Sequence, residues 1–160
     1  MSLLPVVVVL SGCGDKQTVT AGSGEPTPGS PIPPSERWYT QAQVQRGGDL
    51  FQTHCAECHK PEASGTPDWR TPLANGKYPP PPLNGTAHTW HHPLSVLQRT
   101  VRIGGVPLGG TMPGFADKLT AGQIDDILAW VQTHWPDETY RIWHERNTQA
   151  ENRLRPITKG

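Results

Sequence analysis

The stretch Phe51–Lys60 reads FQTHCAECHK and holds two of the three cysteines, Cys55 and Cys58, followed directly by His59. A C-x-x-C pair is typical of half a zinc site, a redox-active dithiol or a haem attachment point. Zinc needs four ligands, and only Cys55, Cys58 and His59 cluster here, so His88, His91 or His92 would have to complete the site. The adjacent Cys58 and His59 would also have difficulty reaching one tetrahedral ion together. A thioredoxin-like dithiol follows a strand in a βαβ unit, which the sequence lacks. C-x-x-C-H is the attachment pattern of c-type haem, and we favour it.

The haem interpretation explains the spacing and calls for a second ligand to the iron. Two thiols, from Cys55 and Cys58, can bond to the porphyrin vinyl groups while His59 binds the iron. Apart from the initial residue, Met112 is the only methionine, and the following Pro113 disfavours helical backbone at Met112. We therefore expect Met112 on a loop, with its thioether as the second axial ligand, and a cavity lined by Cys55, His59 and Met112. A His/Met pair raises the reduction potential.

A histidine could serve as the second ligand instead of methionine. Three candidates lie close together in the sequence: His88, His91 and His92. Because Met112 is present, we interpret these histidines as polar loop residues beside Trp90 and keep the bis-histidine site as the alternative.

Helix signals dominate the central part of the chain. Thr40 with Gln43, and Thr120 with Gln123, each fit a capping box, in which the threonine oxygen and the glutamine amide satisfy unpaired backbone N–H groups. The prolines and glycines of residues 60–92 predict loops. No β-rich segment is visible, so the predicted class is all-α.

Two further helices are predicted towards the C-terminus, one in the middle of the chain and one in the tail. Pro93 suits the first position of a short helix that Gly104 ends. The tail begins Pro136-Asp137-Glu138, a favourable helix start, and a sparse apolar face follows it. That face consists of Tyr140, Trp143 and Leu154.

In order and spacing, the motifs over about residues 38–135 resemble those of class I cytochromes c of the bacterial, membrane-tethered, monohaem kind. The motifs are Gly47-x-x-Leu50-Phe51, Cys55-x-x-Cys58-His59, Pro81-Pro82-Leu83-x-Gly85, Met112-Pro113-x-Phe115 and Leu119-Thr120 followed by Ile124-x-x-Ile127-x-x-Trp130-Val131. The resemblance implies a class I cytochrome c fold, with three to four helices around one covalently attached haem. It also implies that the N- and C-terminal helices cross, with Gly47 and Phe51 against Ile127 and Trp130.

The same resemblance assigns the site residues. Cys55 and Cys58 would form the covalent haem thioethers, and His59 and Met112 would be the axial ligands of the iron. His59 would donate its Nδ1–H to a backbone carbonyl, which the resemblance places at Pro81. The register within the four-proline run leaves the neighbouring prolines, 80 and 82, open.

The first residues, MSLLPVVVVLSGCGD, resemble the start of a bacterial lipoprotein. The apolar run Leu3–Leu10 is shorter than the roughly 20 residues that span a bilayer but suits a signal peptide. The lipobox-like segment Leu10–Cys13 implies cleavage before Cys13 and lipidation of that cysteine; the alternative is an untethered tail with an incidental cysteine. We thus predict a signal peptide at 1–12, a flexible Pro/Gly/Ser linker at 14–36, a cytochrome c domain at 37–135 and a C-terminal extension at 136–160 that could be helical.

Composition and motifs together predict a one-electron carrier. Net charge is zero, which gives no reason to expect nucleic acid as a partner. We expect a monomer that is not an enzyme, shuttling electrons between respiratory or periplasmic redox proteins such as a membrane oxidase, dehydrogenase or reductase. It would be lipid-anchored on the periplasmic or other extracytoplasmic side of a bacterial membrane. The alternative functions are a haem enzyme or sensor (a peroxidase or gas-binding module) with a displaceable Met112, and an interaction module docking through residues 136–160.

Overall fold

The computed structural model describes residues 30–154, which form five α-helices and no strand. They are α1 (Gln41–His54), α2 (Ala56–His59), α3 (Leu94–Ile103), α4 (Ala121–Thr133) and α5 (Asp137–Leu154). Short 3₁₀-helices cover Pro34–Glu36, Thr89–His91 and Val106–Leu108. The predicted all-α class is confirmed, and α2 is a single turn that follows α1 after one residue. The predicted signal peptide, Cys13 and residues 14–29 of the predicted linker lie outside the described residues.

Both predicted capping boxes are confirmed. The Thr40 hydroxyl accepts the Gln43 backbone N–H at 3.3 Å, and the Gln43 side chain accepts the Thr40 backbone N–H at 3.0 Å. The corresponding distances for Thr120 and Gln123 are 3.2 and 2.9 Å. Both α1 and α4 therefore begin with otherwise unpaired N–H groups satisfied by neighbouring side chains.

Helices α1 and α4 cross at a glycine, as the resemblance implied. A Cβ on Gly47 would overlap the Asp126 carbonyl of α4, so only glycine allows this approach. The rings of Phe51 and Trp130 pack beside the crossing with their centroids 4.4 Å apart. Across the same contact, the buried Asp126 carboxylate accepts two hydrogen bonds from Arg46, at 2.7 and 3.0 Å.

Helix α3 begins one residue later than the sequence analysis placed it. Pro93 has ψ of 160°, an extended conformation, and is the N-cap rather than the first helical residue. Proline offers no side-chain acceptor at this position. The Leu94 N–H is bonded instead by the Asn147 side chain of α5 at 2.8 Å. The predicted C-terminus is confirmed, because Gly104 caps α3 with φ of 75°.

One hydrophobic cluster joins the predicted domain and the segment after it. Tyr140 and Trp143 of α5 are 0% and 1% exposed and belong to the same cluster as Phe51 of α1 and Leu128 of α4. Leu154, which the sequence placed on the same apolar face, is 75% exposed. The inner face of α5 is therefore part of the core, up to about its third turn. Within residues 30–154, no helix has the length and apolar character that crossing a membrane requires.

Candidate haem-binding site

The C-x-x-C-H motif lies where α1 passes into α2. The Cys55 N–H closes the last turn of α1 on the Phe51 carbonyl at 2.8 Å. The Cys55 carbonyl then accepts the N–H groups of Cys58 and His59, at 3.1 and 2.9 Å. The motif thus occupies a single helical turn, with His59 buried, Cys55 partly buried against the core and Cys58 exposed. Cys55 and Cys58 form no disulfide.

The thiol of Cys55 has the wrong acidity for a redox-active dithiol. Burial, with a smaller contribution from Cys58, raises the pKa of Cys55 to about 11. Catalytic thiols of C-x-x-C motifs have a lowered pKa, because the thiolate is the reactive species. The dithiol interpretation is therefore disfavoured. Among the described residues 30–154, no three His, Cys, Asp or Glu side chains form a group able to hold a metal ion.

The His59 ring is held in the tautomer that a metal ligand needs. Its Nδ1 lies 3.0 Å from the Pro81 carbonyl oxygen. A carbonyl oxygen only accepts, so Nδ1 carries the proton and the lone pair of Nε2 is left available. Burial lowers the pKa of His59, and the Pro81 contact opposes this to a smaller extent, so the ring stays neutral near pH 7. A neutral imidazole with one nitrogen tied to a carbonyl is the usual state of a ligating histidine.

Backbone pairing orients the Pro81 carbonyl and removes the uncertainty among the prolines. The carbonyl of Pro80 accepts the Thr66 N–H at 2.9 Å, and that of Pro82 faces the Thr89 hydroxyl at 3.5 Å. Of the three candidate carbonyls, at residues 80, 81 and 82, that of Pro81 is the one in contact with His59. Because prolines have a fixed φ and no N–H, the run offers carbonyls in a rigid, predictable array.

Gly65 is a site residue that the sequence analysis did not identify. It adopts φ of 61°, and a Cβ there would overlap the carbonyl carbon of Pro81. Its N–H donates to the His59 carbonyl at 2.8 Å. Gly65 thus lets the loop after the C-x-x-C-H motif approach the Pro81 segment closely. Its being the only glycine between His59 and Asn75 was the available signal.

Met112 lies in the loop between α3 and α4, as predicted, and is half-buried. Its carbonyl accepts the Gly105 N–H at 2.9 Å, so the end of α3 holds the loop. A Cβ on Gly104 would lie 2.5 Å from the same carbonyl oxygen, which shows how closely the two backbones approach. Met112 and Cys55 both pack against the hydrophobic cluster. The assignment of Met112 as an axial ligand stays a prediction.

The three clustered histidines are exposed residues associated with tryptophans. Trp69 and His88 have ring centroids 5.3 Å apart, and Trp90 stacks on His91 at 3.9 Å. His91 and His92 are exposed like His88. Partial burial and neighbouring positive groups, His92 foremost, lower the pKa of His88. This arrangement is that of polar loop residues packed beside aromatic rings.

Two cavities in residues 30–154 can be compared with the expected one. The larger, about 620 Å³, is lined by residues at the start of the described chain, including Trp38 and Tyr39, and by Thr133. The smaller lies between α3 and α4 and includes Gln98 and Asp125. Neither is lined by Cys55, His59 or Met112, so a cavity there stays a prediction. The donor chemistry fits haem nonetheless, with two free thiols, a neutral imidazole and a thioether.

Comparison with known proteins gives one family and two relatives. A family model described as "Cytochrome C oxidase, cbb3-type, subunit III" matches residues 42–131. The chain is 29% identical over 125 residues to the cytochrome c subunit of alcohol dehydrogenase (quinone) from Gluconacetobacter polyoxogenes and, equally, from Komagataeibacter europaeus. Each alignment covers 66% of this chain and 24% of the relative, so the chain spans about a quarter of their length. No solved structure matches.

Proposed function

Because the chain belongs to the c-type cytochrome family described as cytochrome c oxidase, cbb3-type, subunit III, we propose that Cys55, Cys58, His59 and Met112 hold its haem. The chain is a monohaem electron carrier with covalently bound haem c. The haem supplies the one-electron redox chemistry of its iron. The cysteines would attach it through thioethers, while His59 and Met112 would occupy the two axial positions.

The observation that carries this proposal is the contact between His59 and Pro81. It fixes the proton on Nδ1 and leaves Nε2 for the iron, and burial keeps the ring neutral. The hydrogen bond also makes the imidazole a stronger electron donor to the metal, since the N–H proton is partly shared with the carbonyl. His59 would therefore both hold the iron and influence its reduction potential.

Met112 is proposed as the second axial ligand because it is the one loop methionine and packs against the same cluster as Cys55. Met112→Ala should change the ferric absorption spectrum and lower the reduction potential, since a methionine ligand favours the reduced iron. Thr111→Ala, an exposed neighbour in the same loop, is the matched control. An unchanged spectrum and potential in Met112→Ala would exclude Met112 as the ligand.

Carbon monoxide binding separates the carrier from the alternative haem enzyme or sensor. A carrier with both axial positions filled should bind carbon monoxide weakly, and Met112→Ala should bind it readily because one position is then open. Tight binding by the wild-type protein would favour a displaceable Met112 and an enzyme or sensor. We propose the carrier, without a substrate reaction of its own.

The partner is proposed to be a membrane dehydrogenase or oxidase. The relatives are cytochrome c subunits of a quinone alcohol dehydrogenase, and the family description refers to an oxidase subunit. We place the protein on the extracytoplasmic side of a bacterial membrane, as a monomer anchored through lipid on Cys13. Stopped-flow mixing of the reduced protein with a purified oxidase, and of the oxidised protein with a reduced dehydrogenase, would identify the direction of transfer. Mass spectrometry of the purified chain would test the lipid, and a Cys13 peptide without acyl groups would refute the anchor.

A further inference from the structure

Trp135, in the turn before α5, and two residues on the inner face of α5 make three hydrogen bonds to residues 83–94, which follow the Pro81 segment. The Trp135 indole N–H donates to the Leu83 carbonyl at 2.7 Å. The Trp143 indole N–H donates to the His92 carbonyl at 2.9 Å. The Asn147 side chain accepts the Leu94 N–H at 2.8 Å, as described above. Trp135, Trp143 and Asn147 all lie beyond residue 131, where the family match ends.

These three side chains are buried, and two of them pack against each other. Trp135, Trp143 and Asn147 are 4%, 1% and 8% exposed. The rings of Trp135 and Trp143 pack edge to face, with centroids 5.7 Å apart. Because leaving the polar group of a buried side chain without a partner is costly, these three hydrogen bonds hold the loop at three points. Between residue 83 and the start of α3 the chain forms only the short 3₁₀-helix Thr89–His91, so Trp135 and α5 hold this segment from outside.

The first contact leads towards His59. Leu83 is held from both sides, because its N–H donates to Ala63 at 2.7 Å while its carbonyl accepts from Trp135. Leu83 follows Pro81 by two residues, and the intervening proline transmits position because its φ is fixed. Movement of Leu83 would thus move the carbonyl that accepts the His59 proton. Trp135 reaches the ligand only through this backbone, so it is a positioning residue.

The third contact leads towards Met112. Asn147 supplies the acceptor for the first N–H of α3, which its own N-cap proline cannot supply. The opposite end of α3 is followed by Gly105, whose N–H holds the Met112 carbonyl. Trp135, just before α5, and Asn147 of α5 therefore support the backbone segments that lead to both predicted axial ligands.

We propose that Trp135, Trp143 and Asn147 form a clamp that positions the two axial-ligand segments and thereby sets the reduction potential. This inference rests on the proposed function for its link to the potential. Loosening the clamp at Trp135 would weaken the His59–Pro81 hydrogen bond and make the imidazole a poorer donor, which disfavours Fe(III) and raises the potential. Loosening it at Asn147 would free the start of α3.

The test uses the full-length holoprotein and single substitutions that preserve packing. Trp135→Phe removes the indole N–H but keeps an aromatic ring, and Asn147→Ala removes the cap. Glu145→Gln, an exposed position on the same helix, is the control. Amide hydrogen exchange should accelerate about tenfold at Leu94 in Asn147→Ala, the factor expected for one lost hydrogen bond. It should accelerate about fivefold at Leu83 in Trp135→Phe, because a segment loosened at the Leu83 carbonyl holds the Leu83 N–H less firmly on Ala63. The potential of Trp135→Phe should exceed that of both wild type and Glu145→Gln.

The outcomes separate the clamp from the function on which it rests. If the wild-type spectrum shows no His/Met haem, the proposed ligation fails, while the exchange rates still decide whether the clamp holds the loop. If Trp135→Phe lowers stability but leaves the potential and the local exchange unchanged, the residue is merely structural and the clamp is overturned. Equal exchange at Leu94 in Asn147→Ala and wild type would also overturn it.

Discussion

Replacing Gly47 with alanine should destabilise the protein, although alanine is the better helix former. The position lies in the middle of α1 at its crossing with α4. An added Cβ would overlap the Asp126 carbonyl and lie 3.0 Å from the Ile127 nitrogen. Both obstacles are backbone atoms, which cannot rotate away as a side chain can. The helices would have to separate, loosening the contact between Phe51 and Trp130.

The magnitude follows from two opposing effects. Overpacking costs about 1–3 kcal/mol, and the backbone obstacle places Gly47→Ala at the upper end of that range. Alanine recovers about 1 kcal/mol of helix propensity, because glycine loses more conformational entropy on folding. The free energy of unfolding should therefore fall by about 2 kcal/mol, a large fraction of the 5–15 kcal/mol that is typical of a domain.

Gly122→Ala is the matched control, since it makes the same chemical change in a helix without the contact. Gly122 lies in the first turn of α4, and a Cβ there meets nothing within 4 Å. This substitution should raise the free energy of unfolding by about 0.5–1 kcal/mol. Urea unfolding of the ferric holoproteins, followed by circular dichroism, measures both, with equal slopes as the check on two-state behaviour. If both variants are stabilised, or both shift together, the crossing argument is refuted.

Three further outcomes are expected from urea unfolding. Gly65→Ala should cost about 3 kcal/mol and Gly76→Ala about 1 kcal/mol; both glycines have positive φ, but only at Gly65 would the methyl group meet backbone. Burial raises the pKa of Tyr140 well above 10.0, so the folded protein keeps this proton at a pH where the unfolded chain loses it. The free energy of unfolding should therefore fall as the pH rises above about 10, and Tyr140→Phe should reduce that fall. Trp38→Phe should cost about 1 kcal/mol, because its indole N–H donates at 2.7 Å to the buried Gln132.

Specific results would contradict each of these expectations. Equal costs at Gly65 and Gly76 would show that the approach to the Pro81 segment is not tight. Tyr78→Phe is the control at an exposed site and should leave the alkaline unfolding curve unchanged. If Tyr140→Phe also leaves that curve unchanged, Tyr140 is not the group responsible for the loss of stability. Unaltered stability of Trp38→Phe would mean that water replaces the lost donor at Gln132.

Local chemistry could be read from the sequence because it depends on neighbours along the chain. The capping boxes join residues three apart, and the glycine at Gly104 ends its helix through its own φ. The C-x-x-C-H motif fits one helical turn for the same reason, so its haem chemistry was recognisable. Even the crossing at Gly47 could be predicted, because a glycine inside a helix costs stability and a close approach by another helix would explain its presence.

The placement of α3 and the role of the tail were not accessible, because each depends on residues far apart in the chain. The cap of α3 comes from Asn147, 53 residues beyond Leu94. The Leu83 carbonyl is satisfied by Trp135, 52 residues away. The positions of Asn147 and Trp135 in the sequence do not indicate which backbone groups they bind.

The sequence by itself determined the all-α class, the starts of α1 and α4 and the candidate residues for haem binding, since these follow from local spacing and residue chemistry. Only the tertiary structure decided which proline carbonyl faces His59 and that α5 belongs to the core. The physical reason is that several carbonyls in the run Pro79–Pro82 are equivalent locally. They differ only in the folded protein, where Thr66, His59 and Thr89 each contact a different one of these carbonyls.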